Sequence, residues 1–177
     1  MAEREGFSSG AKGKQETQQF ERPDPALKRL EILVDTWKMR GHTLDSKVDN
    51  ITGWSTFEWL PGKFFLESFG EITIQGFHFN GFVVKALEII AYDPKKKKFP
   101  STVYSNLSGE VLAYEWDVQG SSVIHSGLGA KYIGTLSGDG NTLTGGWRSG
   151  KGTKDAEGNA YDVVMTKMRR RTRKAWS

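Results

Sequence analysis

The chain has 177 residues, 37% of them hydrophobic, with 21 Gly, 6 Trp, 5 Tyr, 10 Phe and no Cys. That length implies one domain, and the absence of Cys excludes a disulfide framework and thiol chemistry. The net charge of +4 belongs to the C-terminal end: Lys167, Arg169, Arg170, Arg171, Arg173 and Lys174 all follow the last acid, Asp162, and without them 19 basic residues face 21 acidic ones. A near-neutral body does not carry the basic face that a nucleic-acid footprint requires.

Residues 1–24 are polar and read as a disordered arm, because Phe7 and Phe20 alone cannot bury enough surface to offset the entropy of ordering. The arm holds no apolar run of the kind a secretory signal needs, and no stretch of the chain approaches the roughly 18–20 apolar residues of a membrane span. A cytoplasmic protein with no membrane partner is therefore expected. The folded domain is expected over 25–171, with 172–177 as a basic tail. Asp24 followed by Pro25 is a helix start, an N-cap acid with proline at the first helical position. Leu27, Leu30, Leu33 and Val34 then repeat at helical spacing, which predicts a short helix flanking or plugging one end of the fold.

From Thr36 the period changes to two. Trp37, Met39 and Gly41 share one face; Lys38, Arg40 and His42 share the other. Nine further strand-like runs follow, at 51–60, 63–74, 82–93, 100–106, 110–118, 121–128, 130–137, 141–149 and 159–171. Turn signals separate them, among them Leu60-Pro61-Gly62, Asp93-Pro94, Gln119-Gly120 and Gly138-Asp139-Gly140-Asn141. About ten short strands with hairpin-length links must hide their edges, and a closed up-and-down antiparallel barrel does so. The fold class is thus all-β, a single barrel with a short N-terminal helix at one end. Glycines inside strands, Gly53, Gly70, Gly134 and Gly145-Gly146, suit the tight bends of a small barrel.

Several of these segments resemble the domain of unknown function 1579 family, a mainly bacterial lipocalin-like or calycin-like barrel group. The resemblance rests on Leu30-x-x-Leu33-Val34-x-Thr36-Trp37, Trp59-Leu60-Pro61-Gly62-Lys63-Phe64-Phe65-Leu66, Ile90-Ala91-Tyr92-Asp93-Pro94 and the run from Ser137 to Gly145. It covers about 27–169, with Asp35 standing where the family usually has Gly. It implies a closed barrel with an internal cavity and little about chemistry, since one fold hosts many functions. In calycins a Trp of the first strand packs beneath an Arg of the last. Here that pair would be Trp37 with Arg169 or Arg170, a cation–π contact of about 0.5–2 kcal/mol; the alternative is Trp37 as plain core with the arginines in water. Haem-binding relatives of this barrel type carry a His in a late strand, and the last two strands here contain none.

Barrel interiors are lined by alternate residues of each strand. In the run 110–118, Leu112, Tyr114, Trp116 and Val118 form the apolar face and should point inward. Trp54, Tyr104, Tyr132 and Trp147 are the other candidate ligand-binding aromatics, although in 100–106 the pattern does not decide whether Val103 or Tyr104 is inward. The three histidines, His42, His78 and His125, show no metal-site spacing, so no metal and no cofactor is expected. Glu58, Glu67, Glu71 and Glu88 lie in strand-like segments; one of them inside an apolar barrel would act as an acid or base near neutral pH. In 64–69 neither face is plainly polar, which leaves room for a buried Glu67. Glu67 beside His78 or His125 is the catalytic candidate. The segment Gly76 to Gly81 reads either as a mobile aromatic lid at the barrel mouth or as an ordinary hairpin connection.

The functions compatible with this pattern are ordered. Binding of a small apolar or aromatic molecule in the cavity comes first. A cofactor-independent isomerase, cyclase or lyase on the same pocket is the alternative, and an interaction protein acting through its tails the third. Lys95 to Lys98 read as a solvated turn. The C-terminal basic run lacks interleaved aromatics other than Trp176, so nucleic acid is disfavoured as a partner. Homodimerisation is left open.

Overall fold

A computed structural model describes residues 21–76, 79–150 and 160–168; for 76 and 79–82 it describes the backbone alone. A 3₁₀ helix, Pro25–Ile32, leads into ten strands: β1 Asp35–Thr43, β2 Ile51–Trp59, β3 Leu66–Gly76, β4 Phe79–Ile90, β5 Phe99–Ser105, β6 Leu112–Gln119, β7 Ser122–Gly127, β8 Ala130–Leu136, β9 Thr142–Ser149 and β10 Tyr161–Lys167. Each strand pairs antiparallel with the next and β10 returns to β1, closing the barrel. The expected all-β single barrel is what forms. The expectations of a disordered arm, for all but 21–24, of a basic tail and of an Arg169 or Arg170 seal fall on residues outside those described.

The helix is 3₁₀ for a reason visible in its leucines. Leu27, Leu30 and Leu33 recur every three residues, and three residues per turn stacks them on one face; all three are buried. Asp24 caps the start, its Oδ1 accepting from the Ala26 N–H at 2.8 Å. The helix docks on the strand ends through Arg29, whose Nε donates to the Val118 carbonyl at 2.6 Å and whose guanidinium bonds Asp117 at 3.0 Å. The Trp59 Nε1–H donates to Glu31 at 3.0 Å on the other side. This end is therefore closed. Beneath the helix the Trp37 Nε1–H donates to the Leu33 carbonyl at 2.7 Å, and the Lys167 Nζ stands 5.0 Å from the Trp37 ring centroid. Among the described residues the cation over Trp37 is thus Lys167 of β10.

The opposite end is where β1, β3, β5, β7 and β9 finish, with the loops after β1, β5 and β7. Exposed apolar side chains gather on it: Leu44, Val48, Leu107, Val111 and Leu128. The closed end, by contrast, carries turns fixed by their own polar groups. Asp139, for instance, accepts from Ser137, from the Asn141 backbone and from the Asn141 amide. Those bonds hold its carboxyl down at about 2.

Glycines in the wall do more than permit bends. A Cβ on Gly127 would lie 2.2 Å from the Tyr114 ring, and Cβ atoms on Gly134 or Gly145 would lie 2.7 Å from the Tyr132 hydroxyl. Tyr114 and Tyr132 lie across these bare stretches of backbone, so the glycines make room for rings laid along the inner wall.

Candidate functional site

The barrel encloses a cavity of about 630 Å³. Its wall is mostly apolar, with Met39, Phe57, Ile72, Leu112, Leu143 and Met165 among the lining residues. Two-residue alternation puts them there. The same phase carries polar groups inward at a few points, and these make the site.

The central one is Glu88. In β4 the residues Val84, Ala86, Glu88 and Ile90 face in, with Lys85, Leu87 and Ile89 on the other face. Glu88 is 6% exposed. Its Oε1 accepts the Trp116 Nε1–H at 2.8 Å, and the same oxygen lies 3.1 Å from His125 Nε2. The His125 N–H does not point along that line, so the contact is an electrostatic one and Nε2 has no aligned hydrogen-bond partner. Burial pushes the Glu88 carboxyl up, but His125, then Ser101 and Trp116, outweigh it and hold the group below its ordinary value. An ionised carboxylate is consistent with a group that accepts from an indole N–H.

Aromatic rings surround this pair. The His125 ring stacks on Trp116 at 4.0 Å and 11°. The Tyr114 centroid is 4.9 Å from it, and Trp147 meets it edge-on at 5.6 Å. The pairing explains the assembly: Trp116, His125, Tyr132, Trp147 and Tyr161 are successive cross-strand partners from β6 to β10. One row around half the barrel is therefore built of rings. Burial raises the Tyr114 phenol, with the Glu88 charge adding to it. Burial also pushes Tyr161 up to about 12, and raises Tyr132 in the same direction. These hydroxyls stay protonated at neutral pH.

Among the candidate site residues, Tyr114, Trp116, His125, Tyr132 and Trp147 come together on the cavity wall. Three others do not join them. Glu67 faces outward, because the inner phase of β3 is Leu66, Ser68, Gly70, Ile72 and Ile74. Tyr104 also faces outward and is 48% exposed, while Val103 and Ser105 face in. Trp54 borders the cavity but occupies the outer row between Lys38 and Glu71, and its ring packs on the exposed Phe69 at 5.6 Å, away from the other rings. His78 lies outside the described residues, as does the tip of the loop considered as a lid. The residue the catalytic pairing missed is Glu88, which replaces Glu67 as the carboxylate beside His125.

Among the described residues no three His, Cys, Asp or Glu side chains converge as a metal set, and no helix is long and apolar enough to cross a membrane. Compared with models of known protein families and with curated proteins, the chain matches none.

Proposed function

We propose that the barrel binds a small, mostly apolar or aromatic molecule in its cavity. The observation that carries this reading is a space of about 630 Å³ walled by apolar side chains and containing one enclosed polar cluster. Ligand pockets typically span about 300–1,000 Å³ and combine an apolar wall with a few placed polar groups. The helix blocks one end, so entry is from the apolar rim of Leu107 and Leu128 at the other. The family resemblance read from the sequence agrees, since it implies an internal cavity.

A second reading is favoured by the Glu88–His125 pair. A histidine held against a buried carboxylate is a general base in search of a substrate, which suits a cofactor-independent isomerase, cyclase or lyase.

Titration with N-phenyl-1-naphthylamine, a neutral probe that fluoresces in apolar surroundings, tests the pocket reading. One saturable site per chain is expected, and the variant Ala86→Trp, which projects an indole into the cavity, should abolish it. No saturable site in the wild-type protein would end the reading.

A further inference from the structure

The pocket reading leaves the ligand's polar end undefined, and the Glu88–His125 contact defines it. Trp116 donates its Nε1–H to Glu88, so the carboxylate acts as an acceptor. The Glu88 oxygen lies 3.1 Å from His125 Nε2, so a proton on Nε2 stands nearer the negative charge than one on Nδ1, which favours the Nε2–H tautomer although the bond is not aligned. The Nε2 atom is fully enclosed, while the side chain as a whole keeps 16% of its surface accessible, and the ring lines the cavity. In that tautomer the acceptor of the ring is the Nδ1 lone pair, and Nδ1 is not among the enclosed, unpartnered polar atoms. Around it stand Tyr114 and Trp147, 6.2 Å apart and tilted by 47°. These rings pack on one another and on His125 and all three line the cavity, so a molecule entering it meets an aromatic wall.

We infer that the cavity selects a planar aromatic molecule bearing one weakly acidic hydroxyl, which donates its hydrogen to His125. The inference rests on the pocket reading and deepens it. Glu88 is the positioning residue: it fixes the ring and its tautomer without touching the ligand. Should the proton pass fully to Nδ1, the ligand oxygen keeps the O–H electron pair as an oxyanion. The resulting imidazolium is then offset by the Glu88 carboxylate on its far side. A cavity without an acceptor would show the opposite preference, because burying an unpaired hydroxyl is unfavourable relative to leaving it in water.

Three probes of one ring system separate these cases: naphthalene, 2-naphthol and 2-methoxynaphthalene, each competing with N-phenyl-1-naphthylamine. The wild-type protein should bind 2-naphthol about tenfold more tightly than either of the others, the factor that one net hydrogen bond supplies. His125→Phe keeps a ring on Trp116 but removes the acceptor and should erase the preference. His42→Gln, on the outer face, should retain it. The inference is overturned if naphthalene or 2-methoxynaphthalene binds as tightly as 2-naphthol, or if His125→Phe keeps the preference. The ligand comparison alone decides the matter if that variant does not fold. If none of the three displaces the probe while the probe itself binds, the hydroxyl inference falls and the pocket reading stands; if the probe does not bind either, both fall.

Discussion

Replacing Trp37 by alanine tests how the closed end is held. Trp37 is 1% exposed and fixed by three kinds of contact: its packing under the helix, its hydrogen bond to the Leu33 carbonyl and the Lys167 ammonium over its face. Truncating a buried Trp costs about 3–5 kcal/mol. The orphaned Leu33 carbonyl adds about 1 kcal/mol, and the lost cation–π contact about 0.5–1 kcal/mol for a partly exposed pair. Against these, Trp37 borders the cavity, so its loss widens an existing space instead of opening a sealed void. The expected total is therefore about 3–5 kcal/mol, read as the change in unfolding free energy from urea titrations. Trp37→Phe keeps most of the ring and loses the N–H bond, and should cost about 1–2 kcal/mol. A loss below about 1.5 kcal/mol for the alanine variant, or equal losses for both variants, would refute the sealing role.

The remaining predictions concern the inner wall. Glu88 has a folded pKa below its ordinary value, so its contribution is fully present above the unfolded carboxylate range, near pH 4.5, and is lost as pH falls through the folded value. The stability gap between the wild-type protein and Glu88→Gln should accordingly shrink as the solution becomes more acid than about pH 4.5. A gap that widens toward acid would reverse the sign argued for this carboxylate. Gly127→Ala should displace the Tyr114 ring, because the new Cβ would lie 2.2 Å from it. A loss of about 1–3 kcal/mol, typical of overpacking, is expected in thermal unfolding, with weakened binding of the naphthyl probe.

Much of this fold is legible from two-residue alternation, and the strands where alternation misleads are instructive. In β6 one face is uniformly apolar, so Tyr114 and Trp116 are placed by pattern alone. In β3 the short window around Glu67 has aromatics on both faces. Carried on to Ile74, the series Leu66, Ser68, Gly70, Ile72, Ile74 stands against Glu67, Phe69, Glu71, Thr73 and settles the phase. In β5 the inner face holds Ser101 and Ser105, so Tyr104 looks like the better inward residue. Ser101 is inside because it lies with Glu88, a partner 13 positions away. That is the general limit: a buried polar residue resembles a surface one until its partner is known. Glu88 itself sits between apolar neighbours of the same phase, Ala86 and Ile90, and this was the signal available for it. The strand glycines were harder to interpret from sequence, since the rings accommodated by Gly127 and Gly145 come from neighbouring strands and the ring over Gly134 from two positions back on its own strand.

A ligand that enters the barrel meets the ring-lined wall at His125. Methyl-resolved NMR during titration with 2-naphthol tests it most directly. Shifts are expected at Leu112, Leu143, Val163 and Met165, which line the cavity, together with the His125 ring, and unchanged signals at Ile124 and Ile133 on the outer wall. Shifts confined to the outer methyl groups, or none at ligand saturation, would contradict it.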